Sequence, residues 1–449
     1  MTVKNILNKL KLLNSQPNVT INSGITFAAQ IVLFLFGMIS GILTSRLLGP
    51  QFRGVYSLLI LSYSISVLLL GAGIPQFIAC FAGRDTYTTS QLMQNALMVT
   101  VFGGVLALFL GGIVLVWPAI LPGSWKSWYV LLIAGIVPIG ILSANTQGML
   151  QGTNQILLFN ILRMAAPLVM VSLLLITIVG LKLGLSGAMA AWAAGEVAAA
   201  VGGIAATRRY FKMPFHADMP LLRHSFQFGG KILLSLIVGT FNQRFDYFLV
   251  GLICGSAGVG HYSVAVSLSM MLWYVPAAIG TVLVPELASS SEARRISLTA
   301  QGIRISLAFG AFSMIAFALA VTPLIPIVYG EAYRPTVPLF LLLLPGVAFF
   351  GLVHVTSSYF TSGLHRPAIK MALAGLSFIL DLLLNLVITP RIGVKGASIS
   401  CAISYGISAM VALLVFSRLS KASLSDVLVP VRSDWSWLKQ IKGRLLGSL

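Results

Sequence analysis

Residues 24–48 read GITFAAQIVLFLFGMISGILTSRLL, an apolar stretch that ends just before the turn-forming pair Gly49-Pro50. A helix of about 20 residues crosses the roughly 30 Å hydrocarbon core of a bilayer. This stretch is long enough to do so, and about twelve stretches of this kind follow one another from Ile25 to Phe416. The sequence therefore predicts an all-α polytopic membrane protein with about 12 transmembrane helices.

Composition supports the same conclusion. Hydrophobic residues make up 57% of the 449 residues and charged residues only 9%. A soluble fold cannot cover that much apolar surface with so few charges. The apolar stretches are continuous rather than alternating, which favours helices over a transmembrane barrel.

The distribution of basic residues predicts the orientation. Of the 29 Lys and Arg residues, 20 lie on one predicted side, seven lie on the other, and Arg163 and Arg244 lie within spans. Cytoplasmic loops carry the excess of Lys and Arg. Both termini are therefore expected in the cytoplasm, and the net charge of +19 is attributed to contact with an anionic lipid bilayer rather than nucleic acid.

The spans and their connections predict five regions. Residues 1–23 form a cytoplasmic amphipathic N-terminal segment, 24–207 a first six-helix bundle, 208–227 a cytoplasmic linker, 228–417 a second six-helix bundle, and 418–449 a cytoplasmic basic amphipathic tail. The predicted spans cover residues 24–48, 54–80, 91–117, 129–150, 157–180, 185–207, 228–252, 258–284, 301–322, 336–361, 369–389 and 395–417.

The two halves of the chain resemble each other. Residues 48–57 (LGPQFRGVYS) align with 254–263 (CGSAGVGHYS), and residues 184–188 (GLSGA) align with 393–397 (GVKGA) at nearly the same offset. Self-similarity at a fixed spacing indicates an internal repeat. Because six spans is an even number, both bundles are expected to have the same orientation, with a central cavity for the substrate between them.

Three short motifs carry a family resemblance: residues 44–50 (TSRLLGP), 54–57 (GVYS) and 73–76 (GIPQ). Together they resemble the opening of the polysaccharide transporter branch of the multidrug, oligosaccharidyl-lipid and polysaccharide exporter superfamily, which includes oligosaccharide-lipid flippases of the O-antigen type. Lipid II flippases often have two further spans, which this chain lacks.

This resemblance implies an activity and a location. The implied activity moves an undecaprenyl-diphosphate-linked oligosaccharide from the cytoplasmic to the periplasmic leaflet of the bacterial inner membrane by alternating access. The product feeds surface polysaccharide assembly, with a polysaccharide polymerase and a chain-length regulator as candidate partners.

Few charged residues lie at membrane depth, where each costs about 2.5 to 3.5 kcal/mol on insertion scales. Arg244 is the leading candidate, because a guanidinium stays charged and holds a diphosphate by paired hydrogen bonds. Its structural alternative is an ion pair with an acid, although Asp246, two residues away on a helix, is a poor direct partner. Asn242 and Gln243 add polar groups beside Arg244 and are grouped with it as substrate-binding residues.

The remaining candidates keep two interpretations each. Asp246, Glu196 and Asp381 either couple transport to an ion or balance an arginine. Arg163 either contacts substrate or extends to the interface, and the same holds for Arg46 and Arg53 at the first outer turn. Gln30 either contacts sugars or joins helices.

An enzyme is not expected, because HExxH, CxxC and GxxxxGK[ST] are all missing from the sequence. The three cysteines are far apart and give no disulfide or metal spacing, so no cofactor or metal is expected. Two alternatives stay open. One is a cation-coupled multidrug exporter of the same superfamily, and the other is a membrane glycosyltransferase or ligase, for which the outer loops look too small.

Overall fold

The computed structural model describes residues 19–84, 86–117, 125–211 and 218–429, with side chains from Gly24 onward. Every regular element in these ranges is a helix. The amphipathic helices predicted around residues 3–13 and 435–445 lie outside the described residues.

The helices divide into two units, Met1–Ile237 and Val238–Leu449. The division falls inside the helix Met219–Arg244. The five regions proposed from the sequence stay a prediction. In unit 1 the helices are α1 Val19–Leu70, α2 Ile74–Phe81, α3 Thr89–Val116, α4 Ser127–Gly152, α5 Ile156–Leu174 and α6 Gly184–Thr207. Helix α7, Met219–Arg244, begins in unit 1 and ends in unit 2.

The helices of unit 2 follow. They are α8 Asp246–Ser269, α9 Tyr274–Ser289, α10 Glu292–Tyr329, α11 Thr336–Ser358, α12 Pro367–Ile392, α13 Val394–Ser420 and the short α14 Leu424–Leu428. Helix α14 lies on α10, where the Arg304 Nη1 donates to the Asp426 carbonyl oxygen at 2.8 Å.

Within the described ranges, ten helical stretches are long and apolar enough to cross a membrane. Two of them, Gly24–Leu70 and Met219–Ser289, contain 47 and 71 residues, enough for two crossings each at 1.5 Å per residue. Each has one residue with non-helical dihedral angles, Gly49 and Gly255. The predicted all-α polytopic fold is confirmed.

The aligned glycines of the two halves share a backbone conformation. Gly49 has φ 70° and ψ 172°, and Gly255 has φ 74° and ψ 177°. The second aligned pair, Gly184 and Gly393, also has positive φ, at 57° and 66°. Positive φ with ψ near 180° is accessible almost only to glycine, so the sequence repeat corresponds to a repeated backbone turn.

Two predicted boundaries differ from the structure. The span predicted over 54–80 is interrupted after Leu70, because Ala72 and Gly73 adopt positive φ values of 51° and 73° before α2 begins. The predicted linker is partly helical, because the Asp218 carboxylate accepts from the Leu221 backbone N–H at 2.9 Å and caps α7.

Close helix packing in unit 1 depends on small residues, as expected in membranes. A Cβ on Gly195 would lie 2.5 Å from the Ala166 carbonyl oxygen, and one on Gly104 would lie 2.9 Å from the Pro138 Cβ. These contacts bring α6 against α5 and α3 against α4.

Candidate functional site

Arg244 is the last residue of α7 and precedes the break at Gly255 by eleven residues. Eleven helical residues span about 16 Å, roughly half of a 30 Å hydrocarbon core, so a membrane crossing that ends at the Gly255 turn has Arg244 near its middle. Its Nη1 donates to the Tyr247 hydroxyl at 2.6 Å, and its Cζ lies 5.3 Å from the Tyr247 ring centroid. Arg244 therefore rests on an aromatic face.

No carboxylate of the described residues lies within 4.0 Å of the Arg244 guanidinium. Among the described residues, one ion pair within 4.0 Å is present, between the exposed side chains of Arg334 and Glu331 at 3.5 Å. Asp246 lies within electrostatic range of Arg244 but uses its oxygens elsewhere. This agrees with the expectation that residues two apart on a helix do not face each other.

Asp246 is buried, with 5% of its surface exposed. One carboxylate oxygen accepts from the Tyr247 backbone N–H at 2.9 Å. The other accepts a short hydrogen bond from the Tyr262 hydroxyl, and Tyr262 is fully buried. A buried carboxylate needs hydrogen bonds of this kind to offset its lost hydration.

Asp381 heads a polar ladder along one face of α12. The Asn385 Nδ2 donates to Asp381 Oδ1 at 3.1 Å, and the Thr389 hydroxyl donates to Asn385 Oδ1 at 2.7 Å. All three are buried, which confirms that Asp381 and Asn385 share a face. Asp381 and Asp246 lie within electrostatic range of each other, although the sequence separates them by more than a hundred residues.

Aromatic residues surround this pair. The Tyr405 hydroxyl donates to the Asn242 carbonyl oxygen at 3.3 Å, and the Tyr405 ring stacks on Phe350 at 4.3 Å. The Asn242 side chain is buried and its Oδ1 has no hydrogen-bond partner, whereas the Gln243 side chain is exposed. Asn242 therefore shares the site of Asp246, and Gln243 does not.

Sequence reasoning missed the tyrosines of this site. Tyr262 carried a usable signal, because it is the residue that keeps register with Tyr56 in the repeat. Tyr247 also carried one, because it follows Arg244 by three residues and shares its helical face. Tyr405 carried none, since its partner Asn242 is distant in the chain.

In unit 1 the mid-membrane acid is Glu196. The Tyr63 hydroxyl donates to Glu196 Oε2 at 2.8 Å, and the Tyr63 ring packs edge-on against Trp192 with centroids 4.7 Å apart. A Cβ on Gly140 would lie 2.2 Å from the Tyr63 hydroxyl oxygen. Glycine at this position of α4 therefore provides the space for the phenol.

The basic candidates of unit 1 occupy separate places. Arg163 Nη2 lies 3.5 Å from Gln30 Oε1, and its Cζ lies 5.4 Å from the Phe159 ring, so the structure brings these two candidates together. Arg53 Nη1 donates to the Thr44 hydroxyl at 2.7 Å, and its buried Nε has no partner. Arg46 is exposed.

The described residues contain no group of three or more His, Cys, Asp or Glu side chains arranged to hold a metal ion. The unit 2 site instead combines a guanidinium, two hydrogen-bonded carboxyl groups and an unpartnered amide oxygen. Chemically, such a site can bind an anionic group at Arg244 and an inorganic cation or proton at the carboxyl groups.

Comparison with known proteins adds a family and a fold. The model of a family described as "Polysaccharide biosynthesis protein" matches residues 19–291. A curated relative from Haloferax volcanii, "Probable low-salt glycan biosynthesis flippase Agl15", is 23% identical over 195 residues. That match covers 41% of this chain and 40% of the relative.

Solved structures share the fold at low sequence identity. A lipid II flippase MurJ in an inward closed conformation aligns with a TM-score of 0.74 at 12% identity, covering 91% of this chain and 89% of that one. An inward-facing multidrug resistance MATE family transporter of the MOP superfamily aligns with a TM-score of 0.66 at 16% identity, covering 87% of this chain and 96% of that one.

Proposed function

Because this chain belongs to the polysaccharide biosynthesis protein family, we propose that it is a membrane transporter of the flippase type that moves a lipid-linked oligosaccharide between leaflets. The proposed cargo is an undecaprenyl-diphosphate-linked oligosaccharide, moved from the cytoplasmic to the periplasmic leaflet of a bacterial inner membrane for surface polysaccharide assembly. Both termini are proposed to be cytoplasmic, and a polymerase and a chain-length regulator are proposed as partners.

The observation that carries this proposal is the state of Arg244. A charge at mid-membrane depth costs about 2.5 to 3.5 kcal/mol on insertion scales, and Arg244 has no carboxylate contact among the described residues. Its contact with the Tyr247 hydroxyl and ring leaves further N–H donors of the guanidinium available. A diphosphate headgroup uses such donors in pairs.

The buried acids support coupling to a cation. Two carboxyl groups within electrostatic range repel each other when both are ionised, so binding of a proton or a metal cation at Asp246 and Asp381 relieves that repulsion. We assign the ion-coupling role to this pair. A gradient across the membrane then supplies the energy that the chain, as a transporter rather than an enzyme, requires.

A second candidate function is export of cationic drugs. The two acids of unit 2 favour it, since a lipophilic cation is attracted to buried carboxylates, and the MATE-like fold is compatible with it. Arg244 argues against it, because a fixed positive charge next to the acids repels a cationic cargo.

The test uses purified protein in liposomes. A fluorescent polyprenyl-diphosphate oligosaccharide is placed in both leaflets, and its accessibility to a membrane-impermeant quencher is followed over time. The flippase proposal expects the protein to make the inner-leaflet fraction accessible, with no efflux of a cationic dye in the same vesicles. Dye efflux without lipid movement would favour the drug exporter instead.

Matched arginine variants test the assignment of the cargo site. Arg244→Ala should lose lipid movement. Arg391→Ala should keep it, because Arg391 is exposed and donates only to the Val387 carbonyl oxygen of its own helix, at 2.9 Å. Equal rates in the two variants would remove Arg244 from the transport path.

A further inference from the structure

Unit 1 holds one carboxyl group at membrane depth among its described residues, and it lies far from both ends of its helix. Glu196 follows Gly184 at the start of α6 by twelve residues, about 18 Å of helix. Tyr63 follows the break at Gly49 by fourteen residues, about 21 Å. The two side chains therefore meet near the centre of a 30 Å core.

The groups that reach the Glu196 carboxylate are hydrogen-bond donors. Tyr63 donates its O–H to Oε2 at 2.8 Å, and Trp192, four residues before Glu196 on α6, lies on the same helical face and within electrostatic range of the carboxylate. Tyr63 is itself buried, with 7% of its surface exposed, and Trp192 is 5% exposed. An indole offers only a donor, never a lone pair.

The charged and titratable groups on the surrounding helices leave Glu196 without a counter-ion. Helix α1 contributes Tyr56 and Arg53, and Arg53 uses its Nη1 on Thr44. Helix α5 contributes Arg163, which contacts Gln30 and the Phe159 ring. Helix α4 contributes Tyr129 near its outer end. Within the described part of the chain, no basic side chain lies within 4.0 Å of the Glu196 carboxylate.

This arrangement of side chains is a poor binding site for a metal cation. Hard cations are held by several oxygen atoms that offer lone pairs, whereas the Tyr63 hydroxyl directs its hydrogen at the carboxylate and Glu196 is the one carboxyl group at membrane depth among the described residues of unit 1. A proton needs only the carboxylate oxygen. It also removes the charge that a low-dielectric interior disfavours.

We propose that Glu196, Tyr63 and Trp192 form a proton-binding site in unit 1 that is separate from the acid pair of unit 2. A hydronium ion of the aqueous phase loses one O–H bond and leaves as water while a Glu196 oxygen gains that proton, and release reverses the step. Tyr63 keeps its own proton throughout and is a positioning residue. The coupling role of this site rests on the proposed transport function.

Two sites of different chemistry give a specific expectation. The unit 1 site should respond to pH and be indifferent to the choice of alkali cation. The acid pair of unit 2 differs because it has two carboxylates within electrostatic range of each other. Two carboxylates offer lone pairs from two side chains, so this pair can take either a proton or a metal cation. Exchange of Na⁺ for K⁺ at constant pH therefore distinguishes them.

Infrared difference titration in lipid vesicles tests the proposal without any cargo. The starting protein carries Asp246→Asn and Asp381→Asn, so that Glu196 is the remaining mid-membrane carboxyl group among the described residues. We expect a pH-dependent band of a protonated, buried carboxyl group that is unchanged when Na⁺ replaces K⁺. Glu196→Gln should remove the band, and Glu331→Gln, at an exposed outer carboxylate, should not.

Tyr63→Phe keeps the carboxyl group and tests the geometry even if Glu196→Gln fails to fold. Loss of the phenol donor should shift the band frequency and leave Glu196 protonated over a wider range of pH, because the donor stabilises the ionised form. A band that survives Glu196→Gln, or one that Na⁺ abolishes, would overturn the proposal. Since the readout needs no transport, lost lipid movement with an intact band would contradict only the proposed function.

Discussion

The two units share a backbone turn and differ in the polar side chains at matching positions before and after it. Nine residues before the turn glycine, unit 1 has Ser40 and unit 2 has Asp246. Ser40 donates to the Gly37 carbonyl oxygen of its own helix at 3.0 Å, so its hydroxyl is satisfied locally. Asp246 instead draws a hydrogen bond from Tyr262, on the far side of the turn.

After the second aligned pair of glycines, Gly184 and Gly393, the acid lies in unit 1 and not in unit 2. Twelve residues beyond these glycines, unit 1 has Glu196 and unit 2 has Tyr405. Each unit therefore has a carboxylate that accepts a hydrogen bond from a tyrosine hydroxyl, but the two carboxylates lie at different positions of the repeat. The same repeated backbone therefore carries different chemical groups in the two units, as expected when function depends on the side chains of a site rather than on the fold.

The guanidinium of Arg244 gives the largest expected difference between the units. Arg244→Ala should lower lipid-linked oligosaccharide transport by about 100-fold or more, because removing one partner of the proposed pair between the guanidinium and the diphosphate of the cargo costs about 2 to 5 kcal/mol. Arg244→Lys should retain part of the activity, since it keeps the charge and loses the bidentate geometry. The measurement is surface polysaccharide in cells with matched protein levels.

Arg163→Ala, which truncates an arginine within a predicted span of unit 1, is the comparison variant. Because Arg163 contacts a glutamine and a phenylalanine ring, its loss should cost less than the loss of Arg244. Normal polysaccharide in the Arg244→Ala strain would show that the basic residue of unit 2 is structural, and the comparison between the units would lose its functional meaning.

The acid pair, Asp246 and Asp381, should give the next largest effect on transport. Asp246→Asn or Asp381→Asn should each lower gradient-driven transport by about tenfold or more, and the double variant should cost little beyond one single variant. Residues in electrostatic contact show coupling energies of about 0.5 to 3 kcal/mol. Transport rates of the four proteins, measured in liposomes with an imposed cation gradient, form the double-mutant cycle. Fully additive losses would mean that the two carboxyl groups act independently.

Much of the fold was predictable, because hydropathy and glycine spacing are local properties of the chain. The apolar stretches predict the spans, and the aligned residues Gly49 and Gly255 mark the breaks between them. The interruption after Leu70 was missed although the glycines and the proline of residues 71–75 (GAGIP) are typical of a helix break, because the apolar residues on both sides of them resemble one continuous span. The start of α7 was missed because the polar residues after Asp218 resemble a loop.

The candidate site was predictable residue by residue but not as an arrangement. Rarity of charge at membrane depth selects Arg244, Asp246 and Asp381. Nothing in a single sequence states that the two acids approach each other, or that the Tyr405 hydroxyl reaches the Asn242 backbone from another helix. Pairings between distant helices depend on tertiary packing, which periodicity within one helix does not encode.

The tyrosines that bond the acids allow a finer test of the comparison. Tyr262→Phe should destabilise the protein more than Tyr63→Phe, by about 1 kcal/mol. Tyr262 is fully buried and bonds a 5% exposed carboxylate, whereas Glu196 is only half-buried. An unsatisfied buried acceptor costs about 1 to 3 kcal/mol, and more when charged. Thermal unfolding in one detergent, followed by intrinsic fluorescence, measures the difference, and equal losses would indicate that water reaches both acids alike.

The turn glycines should show the smallest difference between the two units and give the strictest check that the repeat is physical. Gly49→Ala and Gly255→Ala should each destabilise by about 1 to 2 kcal/mol, and by similar amounts. No atom lies within 4 Å of a Cβ added at either position, so the cost arises from the positive φ alone.

Gly41→Ala and Gly239→Ala are matched controls, since the added Cβ also meets nothing within 4 Å. Both lie inside helices, where alanine is favoured by about 1 kcal/mol, so these controls should be neutral or stabilising. If one turn variant is as stable as wild type and the other is destabilised, the two turns differ in strain despite their matching angles. The two halves would then resemble each other in sequence and not in the energetics of the turn.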